Sequence, residues 1–223
     1  MYSLYSLAST LLLPILPFLL RNRIKRCKED EIRYTEKLAT ITRVRPVGNL
    51  LWVHAASVGE AQSALILIKC CLEKYRNLNI LVTTGTVTSA TLMEKQLPKG
   101  AFHQYMPLDH PRYVKKFLTY WRPDIIFWME SELWPNMLHD IKRRGIPAYL
   151  INARMSKKSF MSWKKFRVLV HSMLSTFDTI FCQTEHDAQL FRSLGAPQTI
   201  VFVNLKYSAN KLEYNQDDKE SLL

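Results

Sequence analysis

A chain of 223 residues is long enough to bury a core of its own. Its apolar share of 48% and charged share of 22% exclude wholesale disorder and a collagen-like repeat. Lys and Arg number 31 against 19 Asp and Glu, a formal charge of +12, which predicts an anionic partner: nucleic acid, a phospholipid surface or a phosphorylated substrate.

The segment 1–20 carries no charged side chain and is rich in leucine. Arg21, Arg23, Lys25, Arg26 and Lys28 follow it with no acid between them. About 20 apolar residues suffice for a helix to cross a bilayer. Cations on the C-terminal flank alone would leave everything beyond Arg21 in the cytoplasm. A cleaved secretory signal fits worse, since there is no basic leader and no small-x-small site after Leu20. Pro14 and Pro17 weaken a spanning helix without excluding it, and a helix lying in the interface or buried against the protein stays open. The expectation is a membrane anchor with its basic flank over residues 1–28.

From Leu50 onward, short β-rich runs alternate with helical patterns. Strands are expected at 50–54, 79–84, 101–106, 124–129, 147–152, 178–183 and 199–203. Helices are expected to start near Gly59, Val87, His110, Leu133, Ser156 and Thr184. Several strands are almost wholly apolar, as in a sheet covered by helices on both faces. The expected fold is α/β, a Rossmann-like parallel sheet spanning 29–207, with a polar tail or linker over 208–223.

In such sheets, ligands bind at the carboxyl ends of the strands. The first of those loops reads His54-Ala55-Ala56-Ser57-Val58-Gly59-Glu60. Glu60 falls in the first helical turn, where the helix dipole favours its charged form and so makes it a weak base; a neighbouring acid could raise it. Plain capping by Ser57 explains the same residues without chemistry. The loop after the fourth strand reads Glu130-Ser131-Glu132-Leu133-Trp134-Pro135-Asn136. Capping by Ser131, with Glu132 as dipole partner, is the bland explanation there. It does not cover Glu130, which extends an apolar strand and would be costly to bury alone.

Other signals are weaker. The run Thr83-Thr84-Gly85-Thr86 could approach a phosphate, but GxxxxGK, GxGxxG and G-x-S-x-G motifs are all lacking. No His and Cys cluster has metal-ligand spacing, so no metal is inferred. The four cysteines, with Cys70 and Cys71 adjacent, do not suit a disulfide framework and point to a reducing compartment. Between Arg154 and Phe177 six cations and no acid share a helical pattern with Phe160, Trp163, Phe166, Val170 and Leu174. That stretch suits a basic amphipathic helix on anionic lipid, or equally a core-packed helix with a solvated face.

The runs HAASVGEAQSAL, TTGTVTSA, YMPLD, ESELWPN, IPAYLINARMSKKS, QTEHDAQLF and VNLKY occur together and in this order. With them the chain resembles the N-terminal domain of 3-deoxy-D-manno-octulosonic acid (Kdo) transferases, from the leader to Tyr207. The resemblance implies an inverting glycosyltransferase lobe of the GT-B type, anchored on the cytoplasmic face of the inner membrane. Such enzymes pass Kdo from CMP-Kdo to the lipid A precursor in lipopolysaccharide core synthesis, with no metal or other cofactor. It also implies Glu60 as proton acceptor, and Glu130 and Lys206 as transition-state stabilisers. Its partners would be the lipid A precursor, CMP-Kdo and anionic inner-membrane lipid, not nucleic acid.

Two departures stand out. Val203 occupies a position where the family usually has glycine, and a β-branched residue resists a positive φ there. Family members also carry a second α/β domain for the nucleotide-sugar, which is expected to be missing after Leu223. A membrane-bound remnant or lipid-binding module is therefore the competing expectation.

Overall fold

The computed structural model describes residues 2–130 and 132–202. Lys206, Val203 and the polar stretch 208–223 lie outside them. Seven parallel strands form one sheet: β1 (Leu50–His54), β2 (Asn79–Thr84), β3 (Ala101–Tyr105), β4 (Ile125–Met129), β5 (Ala148–Ala153), β6 (Thr179–Cys182) and β7 (Thr199–Val201). Their spatial order is β3-β2-β1-β4-β5-β6-β7. The chain therefore builds outward from β1 in one direction, then returns to β4 and builds in the other. The reversal opens a crevice at the carboxyl ends of β1 and β4, the place where α/β sheets bind ligands.

Alternation along the strands sorts side chains into two cores. On β1, Leu50 and Trp52 enter one core while Leu51 and Val53 enter the other; on β4, Ile126 and Trp128 oppose Met129. Helices α3 (Val58–Lys74) and α4 (Val87–Gln96) cover the smaller core through Ala61, Ala64, Leu65, Ile68 and Met93. Helices α5 (Pro111–Trp121), α6 (Pro135–Arg143), α8 (Arg167–Leu174) and α9 (Glu185–Ser193) cover the larger one. Its centre is aromatic: Trp52 lies edge-on to Trp128 at 5.7 Å and tilted on Phe117 at 5.0 Å, geometries that suit the ring quadrupoles.

Strand positions agree with the sequence expectation to within a residue or two. Helix starts agree because the capping residues are legible: Ser57, Thr86, His110, Ser156 and Thr184 each accept a backbone N–H in the first turn of the helix they precede. The fourth loop departs from this pattern. Helix α6 begins at Pro135, two residues later than expected, and its N-cap Trp134 supplies no side-chain bond. Asp109, from the loop after β3, caps it instead, accepting from the backbone of Asn136 (3.0 Å) and Met137 (2.8 Å). No spacing within the 130–136 run could have shown a cap that comes from elsewhere in the chain.

Two further expectations change. The one helix expected over residues 1–20 is a pair, α1 (Tyr2–Leu11) and α2 (Leu16–Lys25), bent by 66°. Pro14 has no N–H to continue the helical ladder, and Pro17 sits where a helix begins. Among the described residues no single helix is long and apolar enough to cross a membrane. The basic stretch after Arg154 is likewise two helices, α7 (Lys157–Lys164) and α8, divided where Phe166 adopts a ψ of 42°. Its apolar positions split accordingly: Phe160 and Trp163 pack at the margin of the larger core, Val170 and Leu174 lie inside it, and Phe166 is exposed.

Substituting Leu150→Ala at the middle of β5, fully buried between β4 and β6, should lower stability by about 2–5 kcal/mol. Ile32→Ala, at a side chain 88% exposed, should change it by less than about 0.5 kcal/mol in the same urea titration.

Candidate functional site

Register decides what stands at the crevice. His54, the last residue of β1, pairs with Trp128 of β4, so Glu60 in the first turn after β1 and Glu130 immediately after β4 leave the same rim of the sheet. Both carboxylates are buried, at 7% and 5% exposure. Two residues far apart in sequence thus stand over one rim, and the Glu130 charge is a minor contributor to the electrostatics of Glu60.

Glu60 is held at both oxygens. One accepts from the Ala56 N–H at 2.8 Å, the other from the Ser57 hydroxyl at 3.0 Å. Ser57 in turn accepts the Glu60 backbone N–H at 3.4 Å, so the helix cap and the carboxylate clamp are one arrangement. Burial pushes the Glu60 carboxyl above its ordinary range, and the Glu130 charge adds to this; the Ala56 and Ser57 bonds and the nearby His54 oppose it. The sequence alone suggested that the helix dipole would keep Glu60 a weak base. Burial, which the sequence could not show, acts in the opposite direction and raises its proton affinity.

Glu130 does not lie alone. Arg154, the first residue after β5, donates its Nε–H to Glu130 at 2.8 Å from an exposed position. Glu130 has φ +57° and still donates its backbone N–H to Ile151 at 2.9 Å. A left-handed conformation at a non-glycine residue costs on the order of 1–3 kcal/mol and clusters at functional sites. At the end of the neighbouring strand Asn152 also has φ +57°, a conformation asparagine tolerates better.

Further side chains complete the rim, and among them the sequence left His54 without a chemical role. His54 is wholly buried; its Nδ1 lies 2.9 Å from the Thr83 hydroxyl, which also accepts the Trp52 indole N–H at 2.8 Å. Its Nε2 has no hydrogen-bond partner and points toward Glu132, 3.9 Å away. Glu132 accepts the Trp134 indole N–H at 2.8 Å, and the nearby His54 ring together with this bond holds its carboxyl below the ordinary range against partial burial. His54 and Arg154 could have been found from position alone, since each stands at the carboxyl end of a strand near the reversal. Lys206 and Ser131 lie outside the described residues.

The run 83–86 has structural employment. Thr86 caps α4, Gly85 accepts from Lys37 Nζ at 3.0 Å, and a Cβ on Gly85 would stand 3.2 Å from the Ala56 carbonyl oxygen. Glycine thus lets the loops after β1 and β2 abut. Among the described residues no group of three or more His, Cys, Asp and Glu side chains is placed to hold a metal ion.

The folds of two solved structures resemble this one at low identity. "S. aureus MnaA-UDP co-structure" aligns with TM-score 0.55 at 16% identity, over 76% of this chain and 48% of that one. A UDP-GlcNAc 2-epimerase from Neisseria meningitidis bound to UDP-GlcNAc aligns with TM-score 0.52 at 16% identity, over 78% and 52%. The resemblance shows the fold: a parallel, helix-flanked lobe of the GT-B type. Sequence comparison is more specific. A 3-deoxy-D-manno-octulosonic acid transferase of Rickettsia bellii is 38% identical over 98% of this chain and 52% of its own length. A probable mitochondrial 3-deoxy-D-manno-octulosonic acid transferase of Arabidopsis thaliana is 37% identical over 99% and 50%. A Haemophilus influenzae 3-deoxy-D-manno-octulosonic acid transferase is 33% identical over 72% and 38%. The chain thus spans about half the length, or less, of these relatives. The family model described as 3-deoxy-D-manno-octulosonic-acid transferase (kdotransferase) matches residues 25–209, a stretch that includes Glu60, Glu130, Arg154 and Lys206, and the chain belongs to that family.

Proposed function

We propose that this chain is the acceptor-binding lobe of an inverting Kdo transferase, which moves Kdo from CMP-Kdo to the phosphorylated lipid A precursor in lipopolysaccharide core synthesis. The observation that supports it is the pair of buried carboxylates, Glu60 and Glu130, leaving the same rim at the β1/β4 reversal. Inverting transfer needs a base on the acceptor hydroxyl, opposite the departing nucleotide, and charge arranged around an oxocarbenium-like transition state. Glu60 is the proton acceptor: its carboxylate is oriented by Ala56 and Ser57, and its proton affinity is raised by burial. Glu130, fixed by Arg154, lends negative charge to the developing cation. Lys206 neutralises the departing phosphate, a role that rests on its place in the matched family stretch. CMP-Kdo is held mainly by a second lobe, corresponding to the part of the relatives this chain does not span. The reading invokes no cofactor.

The same reading places the lobe on the cytoplasmic face of the inner membrane, held by residues 1–28. Phosphates on the acceptor and anionic headgroups account for the formal charge of +12.

Kdo transfer by this chain, with a family nucleotide-sugar lobe supplied in trans, should fall by at least about 100-fold in Glu60→Gln. Equal turnover by wild type and variant would favour a lipid-binding module without chemistry. The variant should also show the sign of the buried charge. A carboxyl with a raised folded pKa costs stability as pH climbs from the ordinary carboxylate range through the raised value. Glu60→Gln should therefore melt higher than wild type at pH 8, and the gap should close below the ordinary carboxylate range. Arg154→Gln, which leaves Glu130 buried without its cation, should lower stability by about 1–3 kcal/mol in urea and reduce transfer.

A further inference from the structure

Helix α1 wears its polarity inside out. Its inner face is polar: Tyr2 stacks on the His139 ring at 3.7 Å, the Tyr5 hydroxyl donates to Asp109 at 3.0 Å, and Ser9 Oγ accepts from Asn136 Nδ2 at 3.1 Å. Its outer face carries Leu4, Leu7 and Leu11, and Ile15, Phe18 and Leu19 continue the apolar surface through α2; all six are between 45% and 72% exposed. A helix on a water-washed surface would turn these faces the other way.

Both ends of this segment are tied to the same body. The start of α1 rests on α6 through Tyr2 and His139. The end of α2 is held by Arg23, which donates to the buried Glu29 at 2.7 Å; Glu29 also takes Lys37, whose Nζ bonds the Gly85 carbonyl. Each helix has ten residues, about 15 Å long, half the hydrocarbon thickness. Bent by 66° and anchored at both ends, the pair cannot carry the start of the chain across a bilayer without breaking the Tyr2, Tyr5 and Ser9 contacts. The anchors also have a place. Asp109 and Gly85 belong to the loops after β3 and β2, and Asn136 to the first turn of α6 after β4, at the rim where Glu60 and Glu130 stand.

We propose that α1 and α2 form an in-plane clip: they lie in one leaflet of an anionic bilayer, both ends on the body's side, and seat the catalytic rim on the membrane surface. The proposal rests on the membrane reading above and specifies its topology. Exposed Arg21, Lys25, Arg26 and Lys28 bind the acidic headgroups beside the apolar face. A lipid acceptor then reaches the rim with its acyl chains still in the leaflet.

The test uses the whole chain with a protease-cleavable epitope tag before Met1, added to preformed vesicles of phosphatidylethanolamine and phosphatidylglycerol. The tag should be removed by external protease while the protein floats with the vesicles, and Leu4→Glu/Leu7→Glu should weaken flotation by at least about tenfold with an unchanged melting temperature. A protected tag on bound protein would overturn the in-plane topology and leave membrane attachment standing. Failure of the wild type to float would overturn both. Flotation indifferent to the Leu4 and Leu7 changes would put the contact elsewhere and overturn the clip. Concentration-dependent dimers without lipid, abolished by those changes, would show a second copy on this face and also overturn it.

Discussion

The side-by-side pairing of β1 and β4 is the constraint on which the rest depends. These strands are distant in sequence, and only their register puts His54 opposite Trp128 and sends Glu60 and Glu130 over one rim. Apolar side chains alternating into two cores hold that register, because a slip by one residue would exchange the inward faces of each strand. Trp52 and Trp128, on the two strands that carry the rim, pack against each other, and Phe117 packs on Trp52. Rigidity below and charge above come from the same strands.

Two like charges brought together under burial are unfavourable unless something offsets them. Here the offsets are separate for the two residues. Glu130 has a guanidinium from the next strand's exit; Glu60 has only neutral donors and keeps a raised proton affinity. One residue type thus sits in two environments, one tied to a guanidinium and one held by neutral donors. The left-handed backbone at Glu130 belongs to the same arrangement: strain is tolerated there because the ladder bond to Ile151 and the Arg154 contact both survive it.

The N-terminal helix pair extends this economy of parts. Asp109 caps α6 and, through Tyr5, holds α1; burial raises its carboxyl against the pull of the two backbone N–H groups and the tyrosine. One side chain therefore links the loop after β3, the helix after β4 and the leader. The polar inner face of α1 follows from this, since its contacts are with a helix start and its capping acid rather than with an apolar groove.

Much of this protein could be read from its residues in order. The wholly apolar strands, the Ser, Thr and His caps, the acids that follow β1 and β4, and the family motifs are all local signals, and local signals survive being read one stretch at a time. Tertiary structure alone decided the matters that depend on distant partners: that Asp109 caps α6, that Arg154 answers Glu130, that burial raises the Glu60 carboxyl, and that the leader's tyrosines reach His139 and Asp109. Proton affinity and orientation are set by what surrounds a side chain in space, and sequence separation carries no record of that until the sheet has brought the strands together.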